Sequence, residues 1–135
     1  MDLMQSLMLS AAGMKVQGDR LRVVAENLAN ADSVSEVPGG DPYRRKVITF
    51  KNALDKELGI ETVQVSKVGV DQSDFRMKYD PGNPAADPKG YVKLPNVNSL
   101  IEMTDMREAQ RSYEANLRAI EVARNMLQRT IDLIR

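Results

Sequence analysis

The chain has 135 residues, with 19 basic side chains balanced by 19 acidic ones, no cysteine, no histidine, and only four tyrosines and two phenylalanines as aromatics. The balance gives no electrostatic reason to expect a nucleic acid, an acidic polymer or an anionic membrane as the main partner. Absent thiols and imidazoles remove thiol nucleophiles, the usual zinc sites and the usual neutral-pH general base, and the scarce rings limit the core the chain can build alone.

The N-terminal stretch MDLMQSLMLSAAGMKVQGDR has no basic leader before its apolar residues and no run of transmembrane length, so neither a cleaved signal peptide nor membrane insertion is expected. Met4, Leu7, Ala11, Met14, Gly18, Leu21, Ala25 and Leu28 follow at steps of three or four, which predicts a helix over residues 3–30. Within it Leu7, Met14, Leu21 and Leu28 form a heptad series. The companion series narrows to small residues, which points to close approach of another backbone near Gly18. Asp2 with Gln5 suits the first turn, and Asn27, Asn30 and the Asp32–Ser33 pair are stop signals.

From residue 31 to residue 98 the period shortens. VITF at 47–50, TVQV and VGV within 62–70, FRMKY at 75–79 and YVKL at 91–94 predict short strands, with a bulge at Ser66–Lys67 where the valine phase changes. EVPGGDP at 36–42 and YDPGNPAADPKGYVKLPNV at 79–97 are connections rich in residues that fix or free the backbone.

Residues 99–135 return to helical spacing. Met106, Tyr113, Ile120, Leu127 and Ile134 recur every seven positions, with Met103, Leu117 and Ile131 beside them and Ala109 and Ala123 on the adjoining edge. Ser99 and Glu102 have capping-box spacing. Every basic residue after Lys93 is arginine, at positions 107, 111, 118, 124, 129 and 135, suited either to partial burial between helices or to a solvated face. The fold class is therefore α+β: long N- and C-terminal helices packed as a coiled-coil-like pair around a small irregular β-rich middle. The organisation expected is 1–30, 31–98 and 99–135.

Motifs that carry chemistry are scarce. Asp80, Asn83 and Asp87 lack the spacing of a calcium loop, with prolines 81, 84 and 88 between and beside them, and Gly39–Gly40 opens no phosphate-binding helix. Arg44, Arg45 and Lys46 read as one exposed strand edge before they read as a polyanion site. No cofactor or metal is expected, and the apolar seams are best used in helix packing, either within one molecule or between molecules.

Four segments carry a resemblance. AENLANADS at 25–33 resembles the signature that closes the N-terminal helix of bacterial flagellar rod and hook proteins. DPYRRKVITF at 41–50, YDPGNPAADPKGYVKLPNVN at 79–98 and EAQRSYEANLRAIEVARNML at 108–127 are similar to the proximal-rod members of that family. The resemblance implies a non-enzymatic structural subunit of the basal body, exported through the flagellar type III apparatus without a cleaved leader and assembled in the periplasm. It implies, as partners, copies of the chain and other rod proteins in a helical assembly, the membrane-ring base and rod-adaptor proteins, and the export apparatus. Both terminal helices would then sit at the inner wall of a hollow tube, with the middle outside. Leu7, Met14, Leu21, Leu28, Tyr113, Leu117, Ile120 and Leu127 would lie at packing surfaces, with the signature residues Asn27, Asn30 and Asn116 among the interacting positions. Pro84 and Pro88 would stiffen a brace between subunits. Segments 34–40 and 52–72 match nothing in the family's signatures. A stable dimeric coiled-coil adaptor or export chaperone is the alternative use of the same seams.

Overall fold

The computed structural model describes residues 2–56 and 59–134. The elements run α1 (Leu3–Ala29), β1 (Lys46–Asp55), β2 (Ile60–Val70), β3 (Arg76–Tyr79), β4 (Tyr91–Leu94) and α2 (Ser99–Ile134). This is the α+β arrangement expected, two long helices flanking a small β-rich middle. At about 1.5 Å per residue, the 36 residues of α2 make a rod of about 54 Å. No helix among the described residues is long and apolar enough to cross a membrane.

The contacts divide the chain into two units. The first contains α1 up to Leu21, Ile48–Lys67 of β1 and β2, and α2 from Arg107 onward. Here the two helices come together at Gly13: a Cβ added there would stand 2.9 Å from Asn116 Nδ2. Gly18, the position the small-residue series favoured, would meet nothing within 4 Å. Period alone could not separate the two glycines, because each is a gap on a helix surface and only the partner helix decides which gap is filled. An ion pair from Arg20 to Glu108, 3.6 Å, crosses the same helices. Ala109 and Ala123 of α2 are buried, at seven-residue intervals with Asn116 between them, so α2 turns its small residues inward.

β1 and β2 form a two-stranded sheet. β2 runs unbroken through Ser66–Lys67, with Val63 and Val65 half-buried and Val68 and Val70 exposed. The valine phase changes across Ser66–Lys67, the pair before it half-buried and the pair after it exposed.

The second unit contains Arg22–Val47 and Val68–Met106. β3 and β4 pair antiparallel, with Arg76 opposite Leu94 and Tyr79 opposite Tyr91. The tyrosine rings meet edge to face at 5.3 Å. The connection between them is ordered by one carboxylate: Asp87 Oδ1 accepts from Lys89 N and Tyr91 N, while its own amide donates to Tyr91 O. Asn83 Oδ1 accepts from Ala85 N in the same way. These side chains are turn-formers, which is what short polar residues between prolines do best. Gly90 has φ +85, and a Cβ there would come within 2.9 Å of the Tyr79 ring, so glycine is required twice over. Around this hairpin Ala31, Ala85, Val92, Pro95 and Val97 are buried, and so are Val23 and Val24 of α1.

Candidate functional site: a polar node and two uncovered helix faces

Among the described residues the buried apolar ones besides Pro95 are Val16, Val23, Val24, Ala31, Ala85, Val92, Val97, Ala109 and Ala123, every one a valine or an alanine. The leucines, isoleucines and methionines of the helices remain half-buried or exposed, up to 82% at Ile134 and 87% at Leu133. A fully buried side chain of that size contributes about 2 kcal/mol, so the subunit alone leaves most of its largest apolar contribution unused.

Each predicted seam residue can be placed. On α1, Leu7, Met14, Leu21 and Leu28 are half-buried, and the fully buried positions Val16, Val23, Val24 and Asn27 lie roughly 130° around the helix, at 100° per residue. The spacing shows two stripes, and the one the chain covers itself is the valine stripe. On α2, Tyr113, Asn116, Ile120 and Leu127 are half-buried, whereas Leu117 and Ile131 are exposed. Asn116 Nδ2 donates to Ser112 O within the helix while its side chain fills the space over Gly13. The α2 arginines at 107, 111, 118, 124 and 129 are exposed, and Arg135 lies outside the described residues. Pro84 and Pro88 are exposed on the hairpin connection. Asn30 closes α1: its Nδ2 donates to Glu26 O, and Ser33 Oγ and N both donate to Asn30 O.

Asn27 is different, since it is 1% exposed and every bonding position of its carboxamide is filled. Nδ2 donates to Lys46 O at 2.9 Å and to Glu102 Oε2 at 3.2 Å. Oδ1 accepts from Tyr43 OH and from Lys46 N, each at 2.8 Å. The amide orientation follows from chemistry, because a carbonyl and a carboxylate can only accept. Glu102, 0% exposed, takes its second bond from Arg45 Nε.

Three expectations are corrected here. Glu102 does not close a capping box with Ser99; Asn98 caps α2 by accepting from Leu100 N and Ile101 N, and Glu102 turns inward. The spacing that suits a cap also places a residue on the inner face of the first turn, and the Arg45 guanidinium with the Asn27 amide decides between them. The second correction concerns the basic run. Arg45 pairs with Glu102, Lys46 Nζ donates to Glu26 Oε2, and Arg44 stacks 4.3 Å over Phe75 while donating to Asp71 O and Ser73 O. None forms an open strand edge. The third is that Asn27 serves as more than a helix stop: it is the centre of the node.

Charge follows the geometry. The Lys46 hydrogen bond and charge hold Glu26 below its ordinary 4.5, and the same pair raises Lys46. Burial raises Tyr43, consistent with its neutral hydroxyl donating to Asn27. Burial alone would lower Arg45, but its hydrogen bond and charge contact with Glu102 raise it overall. Backbone and side-chain hydrogen bonds from Ser73 lower Asp71, which also faces Arg45 at 3.7 Å.

Nothing in this arrangement aligns a nucleophile with a base. It ties the end of α1, residues 43–46 and the start of α2 into one fixed unit, while the larger apolar faces of both helices stay uncovered. Those are the parts of a building block. Among known proteins, residues 89–133 match the family described as flagellar basal body rod FlgEFG protein C-terminal. The flagellar basal-body rod protein FlgC of Agrobacterium fabrum is 57% identical over 127 residues, covering 94% of this chain and 91% of that protein. The chain belongs to the FlgC family of flagellar basal-body rod proteins. FlgC of Escherichia coli O6:H1 is 40% identical over 125 residues, covering 93% and 92% of the two chains, and FlgC of Aquifex aeolicus is 41% identical over 133 residues, covering 98% and 97%. As an FlgC-family member the chain is a structural rod subunit of the flagellar basal body and assembles with other rod components. The adaptor or chaperone alternative is not favoured by this membership.

Proposed function

We propose that the chain polymerises through its terminal helices into the proximal part of the torque-transmitting rod, in the periplasm, after export without a cleaved leader through the flagellar type III apparatus. The observation that carries this reading is the composition of its interior. A core of valine and alanine beside uncovered leucine, isoleucine and methionine is what a subunit needs if neighbours complete its burial.

Residues 1–30 and 99–135 form the assembly core in this reading, and residues 31–98 face outward. Leu7, Met14, Leu21 and Leu28 on one helix and Tyr113, Leu117, Ile120 and Leu127 on the other are the faces met by copies of the chain and by other rod proteins. The membrane-ring base and rod-adaptor proteins lie at the ends of the same assembly. The role is mechanical and involves no catalysis. Pro84 and Pro88, exposed on a connection tied down by Asp87, brace neighbouring subunits, since proline restricts the torsions that would yield under load.

Leu21→Asp and Ile120→Asp place a charge in the seams and test the reading in cells whose only copy is the variant. Export with no incorporation into basal bodies is expected. Normal incorporation of both would contradict it.

A further inference from the structure

We infer that the Asn27–Arg45–Glu102 node is a registry device, fixing the one position at which the first turns of α2 rest against the last turns of α1. This inference rests on the helical-assembly reading.

The largest fully buried side chain among the described residues is Glu102, in a unit whose other buried residues are mostly valine and alanine. Small apolar surfaces are smooth, and they tolerate a helix displaced by one residue at little cost. A buried carboxylate paired with a guanidinium that is itself 26% exposed behaves in the opposite way. It is a weak stabiliser beside apolar residues of similar volume, but it is satisfied in only one geometry. Displacing α2 by one position would bring Ile101 or Met103 toward Asn27. Asn27 Nδ2 and Arg45 Nε would then lose their shared carboxylate inside the unit. Residues 43–46 are held in turn. Lys46 N and O both bond Asn27, Arg45 N donates to Asn96 Oδ1, and Asp71 N donates to Arg45 O. Three distant segments therefore agree on one register of the first turns of α2 against the last turns of α1 within this unit. Asn27 and Glu102 are positioning residues for assembly, since they act through the faces they orient.

The test replaces the pair by apolar residues of similar size, Arg45→Met with Glu102→Leu, in a chain carrying spin labels at Ala29→Cys and Met103→Cys. Both label sites are exposed, and the chain has no other cysteine. The parent should give one narrow label-to-label distance. The paired variant should melt cooperatively, yet show a broadened or second distance. Its incorporation into basal bodies should fall about tenfold if a tenth of molecules hold the competent register. A narrow parent-like distance with parent-like incorporation would overturn the inference, and so would a paired variant that cannot fold while Glu102→Gln keeps the parent's single distance and incorporation. Glu102→Gln keeps one accepting oxygen and turns an NH2 toward one of the two donors, Asn27 Nδ2 or Arg45 Nε, so it should itself show a second distance. Failure of the assembly reading is seen separately, in Leu21→Asp and Ile120→Asp chains that enter the rod.

Discussion

Asn27 Nδ2 donates to Glu102 Oε2 at 3.2 Å, joining residues 75 positions apart in a place that solvent does not reach. Asn27→Ala removes both donors and both acceptors at once and leaves the partners Tyr43, Lys46 and Glu102 short of bonds. Unsatisfied buried groups make the loss about 3 kcal/mol, measured by urea unfolding of the purified chain. Asn27→Asp should be worse, because it sets a second carboxylate against Glu102 and Lys46 O. A loss below about 0.5 kcal/mol for Asn27→Ala, the level of ordinary surface substitutions, would contradict the node.

The hairpin connection separates local rigidity from subunit bracing. Gly90→Ala forces a side chain onto positive φ and into the Tyr79 ring, and should cost about 1–3 kcal/mol in monomer stability. Pro84→Gly with Pro88→Gly changes only exposed positions. Each should cost about 0.4–1 kcal/mol through the unfolded chain, while motility on soft agar falls and the exported amount stays level. Unchanged motility would count against the brace.

Stability should form a plateau across neutral pH. Glu26 and Asp71 have folded values below their ordinary 4.5 and 3.8, so their contributions are present above those values and fade as pH falls through the lowered ones. Asp41, lowered by its hydrogen bond and charge contact with Lys93, acts the same way. Lys46 and Tyr43 have raised folded values. Their contributions are complete below the ordinary 10.5 and 10.0 and fade as pH rises through the raised ones. Glu26, Lys46 and Asp41 are open to solvent, so their share should shrink with salt. Melting temperatures from pH 2 to pH 11, at low and high salt, check both edges. A curve flat through the acid edge would remove the Glu26 and Asp71 contributions.

Much of the fold was legible because its signals are local. Apolar steps of three and four place α1 at Leu3–Ala29, within one residue of the span the spacing predicts, and Asn30 does close it. The β3–β4 pair and the turns between them follow from FRMKY, YVKL and the Asx residues separating prolines. The node was not legible. Asn27 finds partners 16, 19 and 75 positions away, and nothing in Glu102's surroundings along the chain distinguishes a cap from an inward carboxylate. The valine stripe of α1 was missed for a related reason. A helix with two apolar stripes has two faces to bury, and periodicity does not say which one meets the rest of its own chain. AENLANADS and DPYRRKVITF did carry a trace of the node as separate signatures, whose physical link is the contact of Asn27 with Tyr43 and Lys46.

Hydrogen exchange read by mass spectrometry, on the dilute subunit and on the same chain in purified basal bodies, tests the central claim most directly. In the subunit, amides around Asn27, Lys46 and Glu102 should be protected while those of residues 3–15 and 120–134 exchange quickly. Incorporation should slow both helix ends by orders of magnitude and change the node little. Helix ends already fully protected in the dilute subunit would contradict the claim that neighbours complete this protein's burial.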